Sequence, residues 1–258
     1  MRTCFLLTLL MLVLPALGKD YQVQALESAH ASFRSATNSA GYAEAAQQYE
    51  TLIHEEGIRN GHLFYTAGNS WFMAGRVGRA ILNYRRAGQY LPNDADLQHN
   101  LEAALELRTD LIPEKERHPL SARLLGWHFN TSTRTRWVLF ATLWMICWVL
   151  LIVRNRFARK ELRAGAAVTG LFSAILLVSL VAESIANHRA NPGVITAAET
   201  VARKGDGTMY APAFLDPLHA GTEFQTLEIR GKWMHIQLPD GQACWIPAEA
   251  AETVNLRD

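Results

Sequence analysis

The chain has 258 residues, of which 49% are hydrophobic and 19% charged, with 25 basic against 24 acidic side chains and a net charge of +1. That balance excludes intrinsic disorder and a polycationic nucleic-acid binder. A mean hydropathy of −0.01 conceals an uneven distribution, because residues 1–18, 137–153 and 164–182 hold a single charge, Arg2. What remains is two polar blocks of roughly 90 and 65 residues, each large enough for one modest core.

Met1 to Gly18 sets Arg2 ahead of the apolar run Phe5 to Leu14 and closes on Pro15-Ala16-Leu17-Gly18. This is the pattern of a secretory signal cut before Lys19; the alternative is an uncleaved anchor, against which Pro15 and the short apolar run argue. No cysteine follows Gly18, which argues against a lipid anchor. Cys4 belongs to the signal, Cys147 to an apolar run and Cys244 to the C-terminal block. No intrachain disulfide and no zinc spacing follow from them.

Residues 19–110 carry a repeat with an offset of 35, pairing Ala45 with Ala80, Tyr49 with Tyr84 and Leu52 with Ala87. A period of this length means stacked helix pairs. From Gly61, the residues Phe64, Ala67, Gly68 and Trp71 mark one helix, Ala80, Tyr84 and Ala87 the next, and Pro92 ends the unit. The stretch resembles a tetratricopeptide repeat almost position by position. An earlier copy, from about Leu26, departs in its first helix, where Phe33 is nearly the only large packing residue. Asp94 or Asp96 caps a further helix striped by Leu97, Leu101, Ala104 and Leu105. The resemblance implies an all-α solenoid of two repeats and a cap. Its concave face carries His30, Arg34, His62, Tyr65, Asn69, Phe72 and His99, either as a partner groove or as a solvated surface. These histidines lack metal-ligand spacing.

Residues 111–136 read either as a linker or as an interfacial helix with Leu120, Leu124 and Trp127 on one side. Two membrane spans follow, at 137–153 and 164–186, the second opening on small residues that permit close helix contact. Between them, residues 154–163 contain five basic side chains, Arg154, Arg156, Arg159, Lys160 and Arg163. The positive-inside rule makes this loop cytoplasmic and places both soluble blocks on the periplasmic side of a bacterial inner membrane. Glu183 falls near the outer end of the second span, where an exposed carboxylate is tolerated.

The C-terminal block, 191–258, alternates and turns like a small all-β domain. Trp233 to Leu238, the turn Pro239-Asp240-Gly241, and Gln242 to Ile246 read as a hairpin. The block resembles a bacterial SH3 domain, departing from it at Cys244, where that family usually has glycine. The resemblance implies an SH3-like barrel with a groove built from Tyr210, Phe214 and Trp233. Trp245, with apolar strand partners and ahead of Ile246-Pro247, reads as a core residue.

The order of signal, helical repeats, two spans and exported barrel resembles the BatE-type proteins of the aerotolerance operon. That resemblance implies protein partners, among them von Willebrand A-domain membrane proteins and a MoxR-type ATPase, in an envelope stress-tolerance complex. No serine, cysteine or carboxylate constellation with catalytic spacing, no phosphate loop and no HExxH motif is present. The expectation is a non-enzymatic scaffold without cofactor or metal. The alternative is a protein that binds or senses peptidoglycan and recruits an envelope enzyme.

Overall fold

The computed structural model describes residues 22–55, 57–113, 131–157, 159–189 and 191–256. The segment read as a signal and the connector's short helix lie outside these residues. The chain divides into two units, one made of Met1–Glu114 together with Asn191–Asp258 and the other of Lys115–Ala190.

In the first unit, five helices lead from the N-terminal side: α1 over 22–35, α2 Ser39–His54, α3 Gly61–Met73, α4 Val77–Tyr90 and α5 Ala95–Glu106. Their starts follow from capping chemistry. Asn38, Asn60 and Asp94 each accept a first-turn N–H, from Gly41, His62 and Leu97 respectively. All six residues of the 35-residue offset are buried. Leu52 and Ile53 join Phe64, Trp71, Ile81 and Leu82 in one core, where each large side chain contributes about 1.5–3 kcal/mol. At Gly68 a Cβ would lie 2.6 Å from the Tyr84 ring, so only glycine lets that ring lie on α3.

The same unit contains an antiparallel five-stranded sheet in the order β6-β5-β4-β1-β7 and a two-stranded one, β2-β3. The strands are β1 Pro192–Ile195, β2 Glu199–Thr200, β3 Leu218–His219, β4 Glu223–Arg230, β5 Trp233–Gln237, β6 Ala243–Pro247 and β7 Ala251–Thr253, with a 3₁₀ turn at Ala248–Ala250. Alternation sets the inner face: Met234, Ile236, Cys244 and Ile246 point into the sheet's core. Trp245 does not. It stands half-buried on the other face, because it occupies the opposite parity to Cys244 and Ile246.

Helices and sheet are not separate bodies. Val194 of β1 and Val254, just after β7, belong to the helical core. A Cβ at Gly78 would fall 2.5 Å from the Ile195 carbonyl oxygen and 2.9 Å from the Gly221 nitrogen, so the first turn of α4 sits directly on sheet backbone.

The second unit is a helical hairpin of α6 Thr133–Arg156 and α7 Lys160–Arg189, both long and apolar enough to cross a membrane. Ser132 caps α6 through the Thr135 N–H. The basic run is mostly helical, with Arg154 and Arg156 closing α6 and Lys160 opening α7. Cys147 donates to the Ala166 carbonyl at 3.4 Å across the pair. Glu183 is not a lone carboxylate: its Oε2 lies 2.8 Å from Arg136 Nη2, and its Oε1 accepts from Thr133 Oγ1 at 2.8 Å. Arg136 is buried, so the pair joins the helices where a single charge would be costly.

Candidate partner-binding surfaces

The seven residues assigned to the helical face divide into two sets. His30, Arg34, His62 and His99 are exposed, whereas Tyr65, Asn69 and Phe72 are half-buried. Asn100 Nδ2 donates to Tyr65 Oη at 2.8 Å and to Asn69 Oδ1 at 3.1 Å, and Tyr84 Oη donates to the same Asn69 oxygen at 2.8 Å. Asn69 therefore ties α3 to α4 and α5 and is part of the wall. The sequence reading missed Asn100, although His30, Tyr65 and Asn100 follow one another at the repeat offset.

His30 Nδ1 and Tyr49 Oη share a 2.8 Å hydrogen bond with their rings edge to face, and one period later the Tyr65 and Tyr84 rings meet at a tilt of 42°, with their hydroxyls bonded to Asn100 and Asn69 instead of to each other. Burial pushes the Tyr49 hydroxyl up to about 12, against a smaller opposing pull from Arg34, and raises Tyr84 further. Neither phenol ionises at working pH. A small cavity of about 130 Å³ opens between α1, α2 and α3, with His30 and His62 beside Leu26 and Leu63.

On the β side the three groove residues differ in setting. Tyr210 is exposed beside Gly205, Phe214 packs against the sheet's core, and Trp233 is half-buried, with no ring contact among the three within the described residues. The aromatic pairing forms elsewhere. His235 stacks on Trp245 at 4.6 Å and an interplanar angle of 8°, with the Arg230 guanidinium 5.1 Å from the same indole. Cross-strand register places His235 directly opposite Trp245. Cys244 is buried, and that burial, with a smaller contribution from Asp240, raises its thiol to about 12, which removes it as a nucleophile. Among the described residues no cluster of histidine, cysteine and carboxylate side chains is placed to hold a metal.

The joint between helices and sheet is held by ion pairs and hydrogen bonds. Glu223 takes Arg85 Nε at 2.6 Å on one oxygen and Arg108 Nη1 at 3.3 Å on the other. Asp110, beyond α5, accepts from the His219 N–H at 2.7 Å, the His219 ring at 2.8 Å and Thr222 Oγ1 at 2.6 Å. Burial alone would raise the Asp110 carboxyl, but the His219 and Thr222 hydrogen bonds outweigh it and hold the group below its ordinary 3.8.

No family model matches the chain, and no curated protein and no solved structure matches it.

Beside this joint lies a cavity of about 520 Å³. Its walls come from α2 at Gln47, from Arg76 and Arg79 around the start of α4, from Thr109 after α5, and from Thr196 and His219 in the β segment. Neither half of the sequence encloses this cavity alone, so sequence reading by blocks had no means of finding it.

Proposed function

We propose that the chain is a non-enzymatic, membrane-anchored scaffold whose two soluble segments act as one protein-binding body. The observation that carries this reading is the joint: the helices before the hairpin and the strands after it share one core, and Arg85, Arg86, Arg108 and Asp110 on the helical side make ion pairs or hydrogen bonds to Glu223, Glu252 and Thr222 on the strand side. Segments that touch lie on the same side of a bilayer, as an even number of crossings between them requires. The basic run at 154–163 favours that side being the exported one.

The paired helices at a 35-residue period support a tetratricopeptide-like stack. The meandering sheet followed by a 3₁₀ turn and a closing strand supports an SH3-like barrel. Together with the order of segments they favour a place in a BatE-type complex with A-domain membrane proteins. Reporter fusions test the orientation, expected active only when exported after Val254 and only in the cytoplasm within 154–163. Co-purification of A-domain membrane proteins with the intact chain, without sedimentation on cell-wall sacculi, is the expected outcome. Sacculus binding without such partners would favour the cell-wall reading instead.

A further inference from the structure

We propose that the cavity at the joint binds an acidic peptide segment of a partner protein. Among the described residues, the titratable side chains that line it are Arg76, Arg79 and His219, with no carboxylate. The two acids that bond to lining residues, Glu50 and Asp110, are each shared among several donors. Glu50 accepts from Trp71 Nε1 at 2.7 Å, Arg79 Nη1 at 3.1 Å and Asn83 Nδ2 at 3.3 Å, while Asp110 is taken by His219 and Thr222. Arg76 is exposed and makes no side-chain hydrogen bond or ion pair among the described residues. Arg79 spends one nitrogen on Glu50 and lays its guanidinium 4.7 Å from the Trp71 ring centroid, which fixes its plane at the cavity wall.

Charge complementarity therefore selects a carboxylate-bearing occupant, and the size selects a short stretch of chain. Gln47, Thr109 and Thr196 supply neutral hydrogen-bonding groups for a bound backbone, and Val77 and Leu107 supply apolar wall. The site exists only when both halves of the soluble unit are docked, so occupancy and docking favour each other. This deepens the scaffold reading by naming the chemistry of its partner. Because it is tested on purified protein with a synthetic peptide, it stands or falls separately from any envelope complex.

The test is fluorescence anisotropy on the full chain in detergent, with a labelled peptide of Glu, Asp and Leu and a control carrying Gln and Asn in place of the acids. The acidic peptide is expected to bind, more weakly with added salt, and the control to bind at least about tenfold less tightly. Arg76→Glu reverses an unpaired surface charge, and Ala198→Trp fills the rim from an exposed position. Each is expected to raise Kd about tenfold or more while leaving the circular dichroism and the melt of the chain unchanged. Absence of binding by the acidic peptide, equal binding of the control, or full binding by both variants would overturn the proposal.

Discussion

Arg86 of α4, whose side chain is 3% exposed, places Nη2 3.1 Å from Glu252 Oε2 and donates from the same nitrogen to the Thr253 carbonyl at 2.9 Å. A buried helical cation thus finds its counterion 166 residues later, on strand β7. The pair is asymmetric, because the Glu252 side chain is 39% exposed. Removing the acid strands a buried cation whose Nε and Nη1 already have no partner among the described residues. Removing the base leaves a carboxylate that water still reaches. Glu252→Ala is therefore expected to cost about 1–3 kcal/mol, discounted from the figure for a fully enclosed pair, and Arg86→Met less than about 1 kcal/mol. Thermal melts of both variants check the order; a larger loss for Arg86→Met would contradict it.

Asp110 makes the joint sensitive to acid. Its folded carboxyl titrates below 3.8, so the folded state holds the ionised form more strongly than the unfolded chain does. The contribution is complete above the ordinary value and disappears as pH falls through that value and the lower folded one. Asp110→Asn should flatten the part of the stability profile below about pH 5 and lower the plateau near neutrality. Denaturation midpoints across pH 2–7, of the order set by carboxylate titration, show whether the two profiles converge in acid as expected.

Asn69 offers one carbonyl oxygen to two donors, Tyr84 Oη and Asn100 Nδ2. Asn69→Leu should leave the buried Tyr84 hydroxyl unsatisfied and destabilise the helical stack by about 1–3 kcal/mol. Tyr65→Phe deletes one of the two acceptors of Asn100 and should cost under about 1 kcal/mol. Chemical denaturation followed at the helical signal separates them, and equal effects would show that Asn69 is not the node of this network.

The hairpin's ion pair supplies another prediction. Glu183→Leu removes the carboxylate partner of the buried Arg136, which keeps its hydrogen bonds to Ser179 and Thr133. Cysteine cross-links between α6 and α7 near their Arg136 and Glu183 ends should then form less efficiently, while those near Cys147 persist. The double variant Arg136→Leu, Glu183→Leu should recover much of the loss, as hydrophobic replacements of buried pairs commonly do.

Cys244 is a free cysteine buried in the sheet's core. With its thiol raised to about 12, it should resist alkylation by iodoacetamide near pH 8 in the folded chain and react fully in denaturant. Rapid modification of the native protein, read by mass spectrometry of the tryptic peptide, would place it at the surface.

Helical periodicity made most of the helices legible in the sequence. Ala45, Tyr49, Ala80 and Tyr84 are buried where the offset of 35 places them, and Asp94 caps α5, because local chemistry and near neighbours decide these positions. The hairpin at Trp233 to Ile246 was legible for the same reason, through alternation and the Pro239-Asp240-Gly241 turn. Trp245 shows where that reasoning stopped. Parity along β6 sends it outward, and its stacking on His235 depends on cross-strand register, which single-strand reading does not fix. Glu183 looked isolated because its partner, Arg136, lies 47 positions earlier on another helix. The joint was invisible for a stronger reason. Gly78 and Ile195 lie on opposite sides of both apolar helices, and no local pattern links a helix start to a strand end.

Helices and sheet fold as one unit, and Gly78 tests this most directly. In Gly78→Val any side chain must displace the Ile195 carbonyl, since a Cβ there falls 2.5 Å from it. Hydrogen exchange on the full chain in lipid nanodiscs, read by mass spectrometry, then reports on the far side of the contact. The predicted result is lost protection in the peptides covering 192–196 and 250–256, together with α4. Unchanged protection in those strands, with only α4 loosened, would contradict the joined unit.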